Sequence, residues 1–245
     1  MKCYGLIGRT LKHSFSKNYF TEKFEKEGLA DYSYDNFELA SVTEFPLLQK
    51  QHPDLKGLNI TIPYKEEILQ FLTHKNKVVE AIGACNCIRL EGEKLTGFNT
   101  DVVGFRKTLE PQLRQHHKKA LILGTGGASK AIAYVLQELA INFQYVSRKK
   151  SATNLTYEDL DEEALKRHHL IINTTPLGTW PDVHACPLVP YHLVTPRHFL
   201  YDLIYNPVKT KFLLEGEKRG AQICNGYDML IEQAEESWRI WNNKI

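Results

Sequence analysis

The sequence predicts an α/β protein with two domains, each built on a mostly parallel sheet. Strand-like and helix-like stretches alternate along the chain, a polar stretch interrupts them at 111–118, and the same alternation restarts at 119. Such alternation is typical of parallel sheets covered by helices. With 245 residues, of which 42% are hydrophobic, the chain has enough apolar material for two modest cores.

The first half alternates strands and helices and ends in a hairpin. Alternating apolar residues predict strands at 2–8, 32–37, 58–62, 84–90 and 95–98. Helical spacing predicts helices at 17–27, 43–51, 65–72 and 76–82. The hairpin formed by the last two strands adds an antiparallel element to an otherwise parallel sheet.

The second half begins after a helix at 102–110 that Asp101 opens. We interpret the polar stretch at 111–118 as a hinge. Beyond it the pattern predicts strands at 119–123, 142–147, 169–173, 198–203 and 221–224. It also predicts a helix at 127–139 and a final amphipathic helix at 226–242.

Composition excludes several classes of protein. The net charge of +2 and the absence of a large basic block argue against a nucleic-acid binder. No apolar run reaches the roughly 20 residues of a membrane span, and residues 1–8 lack the features of a signal peptide, so we expect a cytoplasmic protein. The five cysteines are scattered without a second pair of ligands, which favours free thiols over a metal site.

A glycine-rich loop at 124–129 is the strongest local motif. It follows the apolar strand 120–123 directly and opens a helix, which is the context that a dinucleotide fingerprint requires. Gly124 provides the tight turn, Gly126 permits close approach of the pyrophosphate, and Ser129 is small enough for close packing. We therefore predict that a dinucleotide is bound by Gly124, Thr125, Gly126, Gly127 and Ala128.

The end of the next strand indicates which dinucleotide. An NAD site has an acidic residue about 20 residues beyond the loop, where it binds the ribose 2′-hydroxyl. This chain has Ser147, Arg148 and Lys149 there. A guanidinium is suited to a 2′-phosphate, so we expect NADP(H) rather than NAD. The alternative interpretation is a solvated basic turn.

Polar residues collect near strand ends in the first half. Asn59 and Thr61 fall on one face of the strand 58–62, and Lys65 follows its tip. Asn86 lies in the strand 84–90, and Asp101 comes directly after 95–98. Buried polar groups are costly unless they are paired, so this density indicates a polar pocket. Taken singly, each has a structural alternative: a helix cap for Asp101, a surface cation for Lys65 and a core amide for Asn59.

Several motifs together make the chain resemble the shikimate dehydrogenases. They run through nearly the whole chain in the family's order, and they are His13–Ser16, Gly57–Lys65, Gly83–Ile88, Gly97–Asp101, Asn173–Gly178, Tyr201–Pro207 and Asn225–Ala234. The resemblance implies NADPH-dependent reduction of 3-dehydroshikimate to shikimate, a step of aromatic amino-acid (chorismate) biosynthesis. It also assigns Lys65 as the general acid and base, paired with Asp101.

The same resemblance assigns the binding residues. The substrate is a small hydroxylated acid, and its expected contacts are Ser14, Ser16, Asn59, Thr61, Asn86, Tyr205 and Gln233. Thr174, Leu203 and Gly226 are expected beside the nicotinamide. Helix capping is the alternative role of the two serines. Lys17 stands where the family commonly has proline, and Ser147-Arg148-Lys149 where it commonly has Asn-Arg-Thr.

The resemblance also implies a discontinuous first domain. The substrate domain would comprise 1–101 with 226–245, and the Rossmann-type NADP domain 102–225, with the active site in the cleft between them. The family includes monomers and homodimers. Three alternatives stay open: a quinate/shikimate dehydrogenase that uses NAD, a folate-linked dehydrogenase of similar plan, and a non-catalytic NADP-binding sensor.

Overall fold

The computed structural model describes residues 1–12 and 14–243. His13, in the first of the family motifs, and residues 244–245, at the end of the predicted substrate domain, lie outside the described residues. The chain divides into two compact units, Met1–Thr100 with Ala234–Ile245, and Asp101–Gln233. The first unit is therefore discontinuous, and the division falls within the last helix.

The first unit carries a six-stranded sheet. Its strands are β1 (Lys2–Gly8), β2 (Tyr32–Glu38), β3 (Leu55–Ile60), β4 (His74–Lys75), β5 (Cys87–Glu91) and β6 (Lys94–Phe98). They lie in the order β2-β1-β3-β5-β6-β4, with β5 antiparallel to both of its neighbours and the other pairs parallel. The predicted parallel sheet with a hairpin addition is confirmed.

Helices cover both faces of this sheet. They are α1 (Phe15–Lys26), α2 (Phe45–Gln51) and α3 (Lys77–Ile82), and α8 (Tyr227–Trp241) adds its second half. One face packs Ile7, Leu58 and Ile60 into a mainly aliphatic core. The other packs aromatic side chains, among them Phe20 and Trp241, whose indole Nε1 donates to the Ile88 carbonyl at 3.0 Å.

The second unit carries six parallel strands. They are β7 (Lys119–Leu123), β8 (Asn142–Val146), β9 (Asn154–Leu155), β10 (Leu170–Asn173), β11 (Phe199–Asp202) and β12 (Gln222–Cys224). Their order is β9-β8-β7-β10-β11-β12, and every pair is parallel. Numbered within this unit, that is the 3-2-1-4-5-6 order of a Rossmann fold, with its switch point between β7 and β10.

The helices of the second unit are α4 (Asp101–Leu109), α5 (Gly127–Glu138), α6 (Glu162–Arg167) and α7 (Lys211–Glu217), together with the first half of α8. Strands β7 and β10 are apolar over most of their length because both faces of the sheet are covered. This is why they read in the sequence as continuous hydrophobic runs rather than alternating ones.

Some predicted boundaries are wrong. The third strand ends at Ile60, because the Tyr64 amide donates to the Thr61 carbonyl at 3.0 Å and turns the chain. Thr61 therefore lies beyond the strand that carries Asn59. Asn86 precedes β5 instead of lying in a strand, and the helical part of 65–72 is a 3₁₀ helix, Glu67–Phe71.

The predicted hinge at 111–118 is also wrong. The stretch lies inside the second unit, whose boundary falls between Thr100 and Asp101. His117 is buried, its Nδ1 accepts from the Arg114 amide at 3.1 Å, and its own amide donates to the Arg114 carbonyl at 2.9 Å. Polarity alone indicated a solvated linker, but the polar groups of His117 are buried and hydrogen-bonded within the fold.

Candidate active site

Polar residues of the first unit collect at one edge of its sheet. Parallel β1, β3 and β6 all end at this edge, and antiparallel β5 begins there, since Asn59 pairs with Cys87 and Cys87 with Phe98. Thr61 follows the end of β3, and its amide donates to the Ile7 carbonyl at 2.9 Å. The topology therefore gathers the predicted residues of this unit at one edge, together with Asn99 and Thr100; the predicted residues are Ser14, Ser16, Asn59, Thr61, Lys65 and Asn86.

A buried hydrogen-bond network holds Asn59 and Asn86. The Tyr34 hydroxyl donates to Asn59 Oδ1 at 2.9 Å, and Asn59 Nδ2 donates to Ser237 Oγ at 2.8 Å and to the Asn86 carbonyl at 3.3 Å. Asn86 Oδ1 accepts from the Thr100 amide at 2.6 Å. Both hydrogens of the Asn59 amide are thus used within the protein, which leaves one lone pair of Oδ1 for a ligand hydroxyl.

Sequence reasoning missed Tyr34 and Ser237 in this network. Burial raises the pKa of Tyr34 well above its ordinary value, and hydrogen bonding with the Ser16 side chain opposes that shift. Tyr34 reads as a strand aromatic, and Ser237 as a polar position in an amphipathic helix. Neither position carries a local signal, because their role depends on which strand and helix the fold brings beside Asn59.

The Ser14 side chain has no hydrogen-bond partner at this edge, and Oδ1 of Asn99 likewise has none within the described residues. Ser14 occupies the N-cap position of α1 but makes no capping hydrogen bond with its side chain. Its Oγ is buried and has no hydrogen-bond partner within the described residues. A buried hydroxyl without a partner is costly, so a ligand that satisfies it would bind there favourably.

The predicted catalytic residues belong to different compact units. Lys65 is half-buried in the turn after β3, where its carbonyl accepts from the Cys85 amide at 2.7 Å. Asp101 is buried and is the first residue of α4. Tyr205 and Gln233, predicted to contact the substrate, also lie in the second unit, where burial raises the pKa of Tyr205.

The glycine loop has the geometry that its sequence predicts. Gly124 has φ +105°, a left-handed value that favours glycine, and its amide donates to the Val146 carbonyl at 2.9 Å. A Cβ at Gly126 would meet no atom within 4 Å, so the backbone faces open space at the start of α5. Ser129 is buried and its Oγ donates to the Gly126 carbonyl at 2.6 Å. The exposed amides at this helix N-terminus suit a pyrophosphate.

The predicted cofactor residues follow the strand ends in register. Val146, Leu123, Asn173 and Asp202 lie side by side at the carboxyl edge of the sheet. The residues that come directly after them are Ser147, Gly124, Thr174 and Leu203. Open α/β sheets bind ligands at this edge, near the switch point.

The loops at this edge contact one another. Thr174 Oγ1 donates to the Leu123 carbonyl at 2.7 Å, and a Cβ at Gly124 would lie 2.8 Å from that same Oγ1. A Cβ at Gly226 would lie 2.1 Å from the Leu203 carbonyl oxygen, so glycine is required there by close packing. The structure therefore brings Gly124 beside Thr174 and Gly226 beside Leu203.

The basic turn after β8 is open to solvent. Arg148 and Lys149 are exposed, Ser147 is half-buried, and Ser147 Oγ accepts from the Lys149 amide at 3.5 Å. Lys150 pairs with Asp159, whereas within the described part of the chain Arg148 makes no salt bridge. The guanidinium is therefore available to a phosphate.

The described residues, 1–12 and 14–243, contain no helix that is both long and apolar enough to cross a membrane. None of their histidine, cysteine, aspartate and glutamate side chains form a group of three or more placed to hold a metal ion.

The chain is similar to known proteins over nearly its whole length. Residues 6–88 match the family model described as the shikimate dehydrogenase substrate binding domain. A shikimate dehydrogenase (NADP(+)) of Caldicellulosiruptor saccharolyticus is 37% identical over 98% of this chain and 92% of its own. Shikimate dehydrogenase 1 of Peptoclostridium difficile superposes with a TM-score of 0.88 at 33% identity, over 99% of this chain and 92% of that one.

A third protein was crystallised with ligands. Shikimate 5-dehydrogenase of Thermus thermophilus, in complex with NADP(H) and shikimate, has a TM-score of 0.88 at 27% identity, over 99% of this chain and 94% of that one. The identity of more than 30% to relatives matched over nearly their whole length, together with the α/β architecture and the edge residues described above, establishes that this chain belongs to the shikimate dehydrogenase family.

Proposed function

We propose that this chain catalyses the reversible, NADP-dependent reduction of 3-dehydroshikimate to shikimate, a step of aromatic amino-acid biosynthesis. The observation that carries the proposal is the pairing of two features in a member of this family. One unit gathers hydroxyls and amides at a sheet edge, including the unsatisfied Ser14 hydroxyl, and the other presents a glycine loop followed by Arg148.

The dinucleotide fits the residues of the second unit. The open backbone at Gly126 and the start of α5 would receive the pyrophosphate, in the loop Gly124–Ala128. Arg148, with Ser147 and Lys149 beside it, would bind the 2′-phosphate. Thr174, Leu203 and Gly226 would line the nicotinamide side. When bound, this cofactor supplies hydride to the substrate carbon and accepts it in the reverse direction.

Lys65 moves the proton of this reaction. Reduction of a ketone requires a proton at the oxygen as hydride reaches the carbon, and the ammonium of Lys65 donates it from Nζ. In the oxidation of shikimate, the neutral amine accepts the hydroxyl proton. Asp101 is its partner: a carboxylate that orients the ammonium and accepts a hydrogen bond from a substrate hydroxyl.

The remaining polar residues bind and select the substrate. Ser14, Ser16 and Tyr205 donate hydroxyl hydrogens to the substrate carboxylate. Thr61, Asn86 and Gln233 pair with ring hydroxyls, and Asn59 accepts through the free lone pair of Oδ1. A site built to satisfy each hydroxyl discriminates against analogues that lack one, because its own polar groups are then left unpaired.

One assay series tests this proposal. Shikimate and quinate are each offered with NADP and with NAD, and nicotinamide reduction is followed by absorbance. We expect the highest kcat/KM for shikimate with NADP. Turnover of quinate with NAD at an equal or higher rate would replace the proposal by a quinate/shikimate dehydrogenase. NADP binding with no turnover of either acid would indicate a non-catalytic sensor.

Arg148→Ala tests the cofactor assignment. Loss of the guanidinium removes charge-assisted hydrogen bonds to the 2′-phosphate, so we expect KM for NADP to rise about tenfold to a hundredfold. KM for NAD, which lacks this phosphate, should change little. Arg197→Ala, which removes another exposed arginine just before β11, is the matched control and should leave both constants unchanged. Equal effects of Arg148→Ala on NADP and NAD would refute the assignment.

A further inference from the structure

Asp202 is a fully buried carboxylate at the end of β11; it lies in the motif Tyr201–Pro207, but the resemblance assigns it no role. Its Oδ1 accepts from Asn173 Nδ2 at 3.0 Å and from the Ile204 amide at 3.1 Å, and its Oδ2 accepts from Thr210 Oγ1 at 2.5 Å. Asp202 is 0% exposed. These three donors are all neutral. Burial outweighs their hydrogen bonds, which act in the opposite direction, and raises the pKa of Asp202 to about 6.

The three donors come from three different segments. Asn173 ends β10, Ile204 lies in the loop after β11, and Thr210 is the N-cap of α7. Through these hydrogen bonds, Asp202 connects the start of the loop after β10 to both ends of the loop after β11. The Leu203 amide adds a second connection between these two loops, since it donates to the Asn173 carbonyl at 3.0 Å.

Further hydrogen bonds of Asn173 continue these connections toward the switch point. Its Oδ1 accepts from the Thr175 amide at 3.0 Å and from Thr175 Oγ1 at 2.7 Å. Thr174, between them, is bonded to the Leu123 carbonyl beside the glycine loop. A continuous row of hydrogen bonds therefore runs along the carboxyl edge of the sheet from β11 through β10 to β7.

The topology indicates which half of the cofactor this row supports. A Rossmann sheet binds one mononucleotide on each side of its switch point, with the pyrophosphate at the glycine loop. The phosphate-binding turn at Arg148 follows β8, which places the adenosine half over β7, β8 and β9. The nicotinamide half then lies over β10 and β11, where Asp202 fixes the loops.

We propose that Asp202 is a positioning residue for the nicotinamide half of the dinucleotide, acting through Asn173, Ile204 and Thr210 on the loops that carry Thr174 and Leu203. This inference rests on the proposed function, because it requires NADP as the ligand. It predicts that loss of the carboxylate weakens binding of the whole dinucleotide and leaves binding of its adenosine half unchanged. A general structural role would weaken both.

Two ligands and two variants test it. Affinities for NADP and for adenosine 2′,5′-bisphosphate, which carries only the adenosine half, are measured by titration calorimetry. Asp202→Ala should weaken NADP binding about tenfold to a hundredfold and leave the bisphosphate affinity unchanged. Asp202→Asn should recover most of the loss, because its amide oxygen accepts from Asn173 and Ile204 and its nitrogen donates to the Thr210 hydroxyl.

The other possible outcomes distinguish a failure of this inference from a failure of the proposed function. If Asp202→Ala binds both ligands with wild-type affinity, or loses affinity for both equally, the inference is wrong. The proposed function is unaffected by either result. A wild-type chain that binds neither ligand overturns the proposed function, and the inference with it. If Asp202→Ala does not fold by circular dichroism, Asn173→Ala replaces it with the same expected selectivity, and equal affinities of that variant and the wild type overturn the inference.

Discussion

Lys65→Met is expected to lower kcat for shikimate oxidation by about two to four orders of magnitude, the usual contribution of a general acid or base. Methionine keeps a similar length and apolar stem but has no ionisable group, so the hydroxyl proton has no acceptor. KM for shikimate should change only a few-fold, because the hydroxyls and amides at the sheet edge still bind the ring. Steady-state kinetics with saturating NADP measures both constants.

Lys56→Met is the matched control for this substitution. Lys56 is an exposed lysine of β3, the strand that leads toward Lys65, and its replacement should leave kcat unchanged. Unchanged NADP affinity of Lys65→Met would show that the second unit is intact. A Lys65→Met variant that keeps half of the wild-type kcat would refute the catalytic role of this lysine.

Local patterns predicted the glycine-loop region best. The structure and the prediction differ by at most one residue at the ends of β7, α5 and β8. Here a strand, a tight turn and a helix follow one another, and the local sequence largely determines each of them. β4 and β9 were missed. Each has only two residues and exists because β6 or β8 offers it a backbone to pair with, which no short window of sequence contains.

Residues of the candidate site also differ in whether a short stretch of sequence reveals them. Gly124 and Ser147 were predicted because each follows an apolar run, and ends of parallel strands meet at one edge of a sheet. The prediction of Thr174 came from the family resemblance. Asp202 also ends such a run, and a carboxylate after three apolar residues was a signal that could have been read. Its partner Thr210 could not be found this way, since the two are eight residues apart along an irregular stretch of chain.

A group of histidines lies at the opposite edge of the second sheet, where its strands begin. His117 precedes β7, His169 precedes β10 and His198 precedes β11. The ring centroids of His116 and His169 are 5.4 Å apart, as are those of His169 and His198, and those of His116 and His117 are 4.4 Å apart. Protons added to these rings would place like charges side by side.

Burial lowers the pKa of His117 from 6.5 to about 4, and the neighbouring His116 and Arg114 contribute to the same shift. The pKa values of His169 and His198 are also lowered, chiefly by burial. The unfolded chain therefore binds protons at a higher pH than the folded chain does. The resulting stabilisation is complete above about pH 6.5 and is lost as the pH falls toward 4.

For His117 this change amounts to about 3 kcal/mol, from the difference between its two pKa values. We expect the free energy of unfolding in urea to fall by about that amount more in the wild type than in His117→Asn between about pH 7 and about pH 4. Protonation of Asp202, whose pKa is raised to about 6, opposes the fall equally in both proteins. His117→Asn should remove this part of the pH dependence, because its Oδ1 can accept from the Arg114 amide and does not titrate. His192→Asn, at an exposed position, should keep the wild-type dependence. If the free energy of unfolding of His117→Asn falls as much in acid as that of the wild type, proton uptake by His117 does not cause the loss. The lowered pKa of His117 then has no part in the pH dependence of stability.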